Sequence, residues 1–231
     1  VSGVEGAPVG LLWDIDGTLI TTARAGVFAL EAAAGEVLGV EAALREIHTA
    51  GLTDAAIAEM IVEQFGGSPD PKQAEALLAA YERELPAALP RRAGQVMPGV
   101  LEILEDLRDE PGVVSLLLTG NTPAGARAKL THYGLFDHIS EGGMCTGPGT
   151  RTEIAERAKA MAIERLAGDP RLYVIGDTAR DVACGKDIGA FTIAVATGPV
   201  PIDELAQAEP WALLEQLPEP AEFRALVGIG S

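Results

Sequence analysis

Asp14-Ile15-Asp16-Gly17-Thr18-Leu19 follows directly on the apolar run Val9–Trp13. Residues two apart on a strand share a face, so both carboxylates converge on one site wherever strand geometry persists. Gly17 frees the backbone to turn sharply just beyond them. Two carboxylates at one site repel unless a cation sits with them or one keeps its proton. A hard divalent ion with oxygen ligands, Mg²⁺, meets that need and also neutralises phosphate oxygens. A single Asp in such a turn would read as a helix cap; the doubled pattern behind a strand reads as chemistry.

Two other stretches have the same layout. Thr119-Gly120-Asn121 follows Leu116–Leu118 and precedes a helix starting near Pro123. A hydroxyl with free backbone N–H groups at a helix N-terminus is a ready anion site, although Thr or Asn there also serves as a plain cap. Gly176-Asp177-Thr178-Ala179-Arg180-Asp181 follows Leu172–Ile175 and supplies one or two more carboxylates. Its plain alternative is a turn capped by Asp177 or Thr178. Four carboxylates meeting at one rim without a metal would be costly.

These groups need a scaffold that delivers them to one place. The strand candidates are Val9–Trp13, Val113–Leu118, Leu172–Ile175 and Phe191–Val195, and helical patterns follow at least three of them. That alternation predicts an α/β fold with a mainly parallel, Rossmann-like sheet. Ligands of such sheets bind at the carboxyl ends of the strands. Residues 22–93 exceed what a crossover requires. Helical spacing in Val27–Leu38, Ala55–Phe65 and Pro71–Leu85, punctuated by Gly35, Gly39, Gly51, Gly66–Pro69 and Pro86, predicts an inserted helical subdomain. The expected division is therefore a core of 1–21 and 94–231 with a cap of 22–93. Linkers near Ile20–Arg24 and Pro90–Gly94 would let the cap close and exclude water.

Composition narrows the class. The 231 residues are 48% hydrophobic and 22% charged, which describes a folded globular chain. Against 34 Asp and Glu stand 17 Lys and Arg, a net charge of −17. The acidity is shared by insert and core, so the chain lacks the basic footprint of a nucleic-acid or anionic-membrane binder. Two cysteines cannot build a disulfide framework, and a reducing compartment is expected. With no apolar run of about 20 residues and neither a basic residue nor an apolar stretch in Val1–Gly10, the expectation is a soluble cytoplasmic protein. His48, His132 and His138 lack paired zinc spacing, and Cys145 and Cys184 form no Cys-x-x-Cys pair. Gly147-Pro148-Gly149 lacks the third glycine of a dinucleotide fingerprint, and no P-loop pattern occurs.

The motifs together resemble the haloacid dehalogenase superfamily over nearly the whole chain, specifically its phosphoglycolate-phosphatase-like phosphohydrolases with a helical cap. The resemblance implies that Asp14 is a nucleophile that becomes an aspartyl-phosphate, and that Asp16 protonates the leaving oxygen and then activates water. An ionised carboxylate beside a proton-holding neighbour suits those roles. Dehalogenases proper lack the second acid, so Asp16 argues against dehalogenation. Thr119 with the Gly120–Asn121 backbone would hold the phosphoryl group. Mg²⁺ would be held by Asp14, the backbone carbonyl of Asp16 and Asp177, with Asp181 ligating through water or orienting the site.

Most relatives add a Lys followed by Pro. The matching region here, Gly142 to Glu153, has no Lys. It looks like a subgroup in which Arg replaces it, which selects Arg151, with Lys159 as runner-up. A guanidinium could span phosphoryl and carboxylate oxygens together. Gly51-Leu52-Thr53-Asp54 resembles the cap loop that relatives present to substrate, often Gly-Arg-Thr-Asp. Leu52 stands in place of the Arg that would meet an anionic substrate, and Thr53 and Asp54 could equally cap the next helix. Arg24 could face the cleft near the hinge. The implied activity is hydrolysis of a small-molecule phosphate ester such as phosphoglycolate by a monomer or homodimer. A sugar phosphomutase would use the same four loops, and a non-catalytic binding module could retain the fold.

Overall fold

Val9–Trp13 is apolar on both faces, which suits the middle of a parallel sheet. In the computed structural model, which describes residues 7–44 and 49–230, this stretch is strand β1 and is buried throughout. Leu11 and Trp13 enter the core on one side of the sheet and Leu12 on the other. His48 and most of the Val1–Gly10 stretch lie outside the described residues.

Beyond β1 the chain turns at Gly17, φ 88°, into the two-residue strand β2 (Ile20–Thr21). Helices α1 (Ala25–Leu38), α2 (Asp54–Gly66) and α3 (Pro71–Ala88) follow. The chain returns through β3 (Gln95–Val96), antiparallel to β2. The three helices bury a cluster of their own, in which Ala25, Ala29 and Ala33 of α1 face Leu77, Ala80 and Tyr81 of α3. Small side chains on α1 let the two helices approach closely. Asp70 and Pro71 start α3 as cap and first residue. Two expected breakers are absorbed into helices: Gly35 lies inside α1, and Pro86 lies in the last turns of α3. The missing proline N–H leaves Glu82 O without its intrahelical donor, a cost that burial of Leu85 and Leu89 on either side of the turn offsets.

The remaining elements are α4 (Val100–Asp106), β4 (Val113–Leu118), α5 (Pro123–His132), β5 (Gly142–Gly143), α6 (Arg151–Leu166) and β6 (Arg171–Gly176). After them come α7 (Ala179–Asp187), β7 (Phe191–Val195), α8 (Ile202–Gln207), β8 (Ala212–Leu214) and α9 (Pro220–Val227). The sheet order is β5-β4-β1-β6-β7-β8, and every pairing in it is parallel. One face packs on α4, α5 and α9, with Trp13 stacked on Phe223 at 5.6 Å. The other packs on α6 and α7 through Leu12, Leu116, Val174, Ala158 and Cys184. β5 has no apolar periodicity because it is glycine: a Cβ at Gly142 or Gly143 would run into the backbone of Leu117 or Ile154. No described helix is long and apolar enough to cross a membrane.

Candidate active site

Asp14 is the first residue after β1 and is buried. Its backbone N–H donates to Ile175 O at 3.0 Å, so the end of β6 fixes its position. Burial pushes its carboxyl up to about 7, against the pull of Arg151. Arg151 opens α6, where a reciprocal capping box sets the first turn. Glu153 N donates to Thr150 Oγ1 at 3.1 Å, and Thr150 N donates to Glu153 Oε2 at 2.7 Å. From there Arg151 Nη2 donates to Asp14 Oδ1 at 2.8 Å and also to Asp181 Oδ1. Lys159, the runner-up, donates instead to Ile188 O at 2.8 Å.

Asp181 is occupied on both oxygens. Its Oδ2 accepts from Thr178 N at 3.0 Å and Thr178 Oγ1 at 2.6 Å, closing the capping box of α7. Its contacts are those of a group that orients Arg151. Asp177 is the opposite case. It is 1% exposed, and neither carboxylate oxygen has a hydrogen-bond partner among the described residues. Burial, then the charge of Asp14, pushes its carboxyl up to about 9. A Cβ at Gly17 or Gly198 would run into this carboxylate, so two glycines clear the space around it. Asp14, Asp177 and Asp181 offer oxygens within 4.8 Å of one another. An orphaned buried carboxylate in an all-oxygen donor set fits a hard divalent cation such as Mg²⁺.

The Asp16 side chain turns away from that trio. Its Oδ2 accepts from Lys129 Nζ at 2.5 Å and from Asn121 Nδ2 at 2.8 Å. The role expected of its backbone carbonyl is independent of that arrangement. Asn121 Nδ2 also donates to Thr119 Oγ1 at 2.9 Å, and Lys129 Nζ donates to Asn121 Oδ1. Thr119 is fully buried and, unlike Gly120 and Asn121, does not line the cavity. Sequence reasoning did not single out Lys129, which by type reads as a solvated helix residue. The available signal was position: it falls four residues after Gly125 and one before Leu130, on the buried stripe of α5.

The inserted helices meet this rim through the Gly51–Asp54 loop. Asp54 N donates to Gly120 O and Asp54 Oδ2 accepts from Thr122 N, both at 2.8 Å. A Cβ at Gly120 would run into the backbone of Leu52 and Thr53. Thr53 is the N-cap of α2, accepting from Ala56 N at 3.2 Å, and is absent from the cavity wall. Asp54 does line the cavity, and burial raises its carboxyl to about 6 despite the charge of Lys129. The cavity encloses about 590 Å³, with Asp14, Asp16, Arg151 and Asp177 on the sheet side and Val27, Leu30, Leu52 and Ile57 opposite. Ala23 and Arg24, also in the wall, take left-handed backbone angles, φ 46° and 70°, an uncommon pair for non-glycine residues.

Comparison with known proteins agrees with this architecture. The family model described as haloacid dehalogenase-like hydrolase matches residues 11–186, and a second, also described as hydrolase-like within that group, matches 154–220. "Probable phosphatase IndB" of Dickeya dadantii is 31% identical over 135 residues, 57% of this chain and 56% of that protein. The chain thus spans just over half the length of that relative. A phosphoglycolate phosphatase of Synechococcus elongatus is 31% identical over 156 residues, covering 67% of this chain and 69% of that one. The crystal structure of a hydrolase from Pseudomonas syringae superposes with a TM-score of 0.70 at 20% identity, over 97% of this chain and 100% of the other. With the first family model spanning both carboxylate-bearing strand ends, the chain belongs to the haloacid dehalogenase-like hydrolases.

Proposed function

We propose that this protein is a Mg²⁺-dependent phosphatase of small-molecule phosphate monoesters, of the phosphoglycolate type, working through an aspartyl-phosphate on Asp14. The observation that carries the reading is Asp177, a buried carboxylate without a hydrogen-bond partner among the described residues, beside an Asp14 already engaged by Arg151. Asp14 and Asp177, with Asp181 behind them, would hold the ion. When bound, it supplies charge neutralisation for the carboxylates and for the phosphoryl oxygens.

The chain's own groups then have distinct tasks. Asp14 Oδ attacks phosphorus and the ester oxygen departs, taking its proton from Asp16. In the second half Asp16 accepts a proton from water as the water oxygen attacks phosphorus. The bond from Asp14 Oδ to phosphorus breaks, and inorganic phosphate leaves. Arg151 supports the transferring group as negative charge spreads over its oxygens. Gly120, on the cavity wall, offers its backbone N–H just before α5, while Asn121 N donates to Thr119 Oγ1 at 3.3 Å. The insert, residues 22–93, is read as a cap seated on the core and excluding water. Its wall is largely apolar, and Arg24 at the rim is the one further cation among the described lining residues. Leu52 lines the cavity without offering charge to an anionic leaving group.

A phosphate-release screen over several dozen metabolites, phosphoglycolate and hexose phosphates among them, with and without Mg²⁺, tests the reading. Asp14→Asn serves as the control and should lose several orders of magnitude in turnover without loss of fold. Isomerised sugar phosphate with little free phosphate would replace the hydrolase reading with a mutase. No Mg²⁺-stimulated turnover across the panel would overturn both.

A further inference from the structure

Lys129 is an expensive residue in its position. It is 4% exposed on α5, and ordering and burying an ammonium requires compensation from every side. The compensation comes from two parts of the molecule. Asp16 and Asn121 at the rim of the sheet accept from Nζ. Asp54 of α2 and Tyr81 of α3 flank it from the insert. One helical turn earlier, Gly125 brings α5 close to the same two insert groups: a Cβ there would sit 3.3 Å from Asp54 Oδ2 and 3.7 Å from Tyr81 Cε1.

The contact with Asp16 is specific in its geometry. Lys129 and Asn121 both bind Oδ2, and Oδ1 has no partner among the described residues. The Asp16 side chain is 42% exposed and lines the cavity. One oxygen is therefore pinned while the other is left without a partner, on a residue of the cavity wall. An unpinned aspartate at a cavity wall would sample several rotamers, and proton transfer demands hydrogen-bond reach.

We infer that Lys129 is a positioning residue for proton transfer by Asp16, holding that carboxyl group in register with the leaving oxygen. The inference rests on the phosphatase reading above. Lys129 itself touches neither the nucleophile nor the cavity. Its contribution should therefore depend on how much help the leaving group needs.

Two aryl esters of similar shape separate that role from a structural one. p-Nitrophenyl phosphate expels a stabilised phenolate that needs little protonation, whereas phenyl phosphate expels a poorer leaving group. Wild type, Lys129→Met and Lys129→Gln would be compared by kcat/KM on both esters in Mg²⁺, with circular dichroism to verify folding. General acid assistance is worth about 10²–10⁴-fold. Lys129→Met should accordingly lose about 100-fold more kcat/KM on phenyl phosphate than on p-nitrophenyl phosphate. Lys129→Gln, which keeps a donor, should lose less in the same direction, and it carries the test alone should the Met variant fail to fold. Equal losses on both esters, or no loss on either, would overturn the positioning role while leaving the phosphatase reading intact. No turnover of either ester by wild type, or full turnover by Asp14→Asn, would remove the phosphatase reading and this inference with it.

Discussion

Replacing Asp177 by Asn should make the metal-free protein more stable and cost it its cation. Without a cation, Asp177 is a buried carboxylate with no hydrogen bond among the described residues, pushed up to about 9 from an ordinary 3.8 by burial and by Asp14. Between about pH 4 and pH 9 the native state therefore holds more protons than the unfolded chain. Stability must fall across that window as pH rises, with the whole loss present above about pH 9. Keeping an acid of ordinary strength protonated at pH 7 costs about 4 kcal/mol, at about 1.4 kcal/mol per pH unit. Relaxation and the shared charge of Asp14 and Asp181 reduce what a neutral side chain recovers, to about 1–3 kcal/mol. For a chain of this size that raises the unfolding midpoint by about 2–4 °C per kcal/mol. The assay is thermal unfolding by circular dichroism in EDTA from pH 5 to pH 9, repeated in Mg²⁺. Wild type should lose midpoint as pH rises in EDTA and regain it in Mg²⁺; Asp177→Asn should show a flatter profile, a higher midpoint at pH 8 in EDTA and no Mg²⁺ gain. A variant less stable than wild type throughout, or one still protected by Mg²⁺, would refute the assignment of Asp177 as the uncompensated ligand.

Three more outcomes follow from particular contacts. Arg151→Met leaves Asp14 and Asp181 buried without their cation, and denaturant unfolding at pH 8 should show a loss of about 3–5 kcal/mol; Arg151→Lys should recover much of that stability, since one nitrogen, Nη2, holds both carboxylates, but not the turnover, since an ammonium so engaged has no second nitrogen to turn to a phosphoryl group. Gly198→Ala drives a methyl group into the Asp177 carboxylate, so Mg²⁺ affinity by calorimetry should weaken about 10–100-fold. Thr150→Ala opens the capping box of α6 and should lower the unfolding midpoint by about 2–4 °C, for about 1 kcal/mol of cap.

The long strands and helices were legible in the residues because each carries a period. Val9–Trp13, Val113–Leu118 and Phe191–Val195 are strands over the bounds that their apolar runs predict, and Leu172–Ile175 extends by one residue at each end. The β2–β3 ribbon and the glycine strand β5 were not legible. Two residues hold no period, and Gly142–Gly143 is a strand for what its neighbours leave room for. Gly35 and Pro86 read as breaks but sit inside helices, where packing against buried neighbours outweighs local propensity.

Within the candidate site, the residue types and their places after strands were enough to nominate Asp14, Asp16, Asp177 and Asp181, whereas Arg151 was nominated by the resemblance to a family whose lysine it replaces. Chain order along a parallel sheet puts such positions on one rim whatever the details of packing. What a one-dimensional string cannot hold is which oxygen each donor takes. The pairing of Arg151 with Asp14 and Asp181 depends on how α6 and α7 lie across the sheet, as does the isolation of Asp177 between two glycines. Lys129 is the clearest case. Its charge predicts water, and only the packing of α5 against the inserted helices turns it inward to Asp16, because burial is set jointly by segments far apart along the chain.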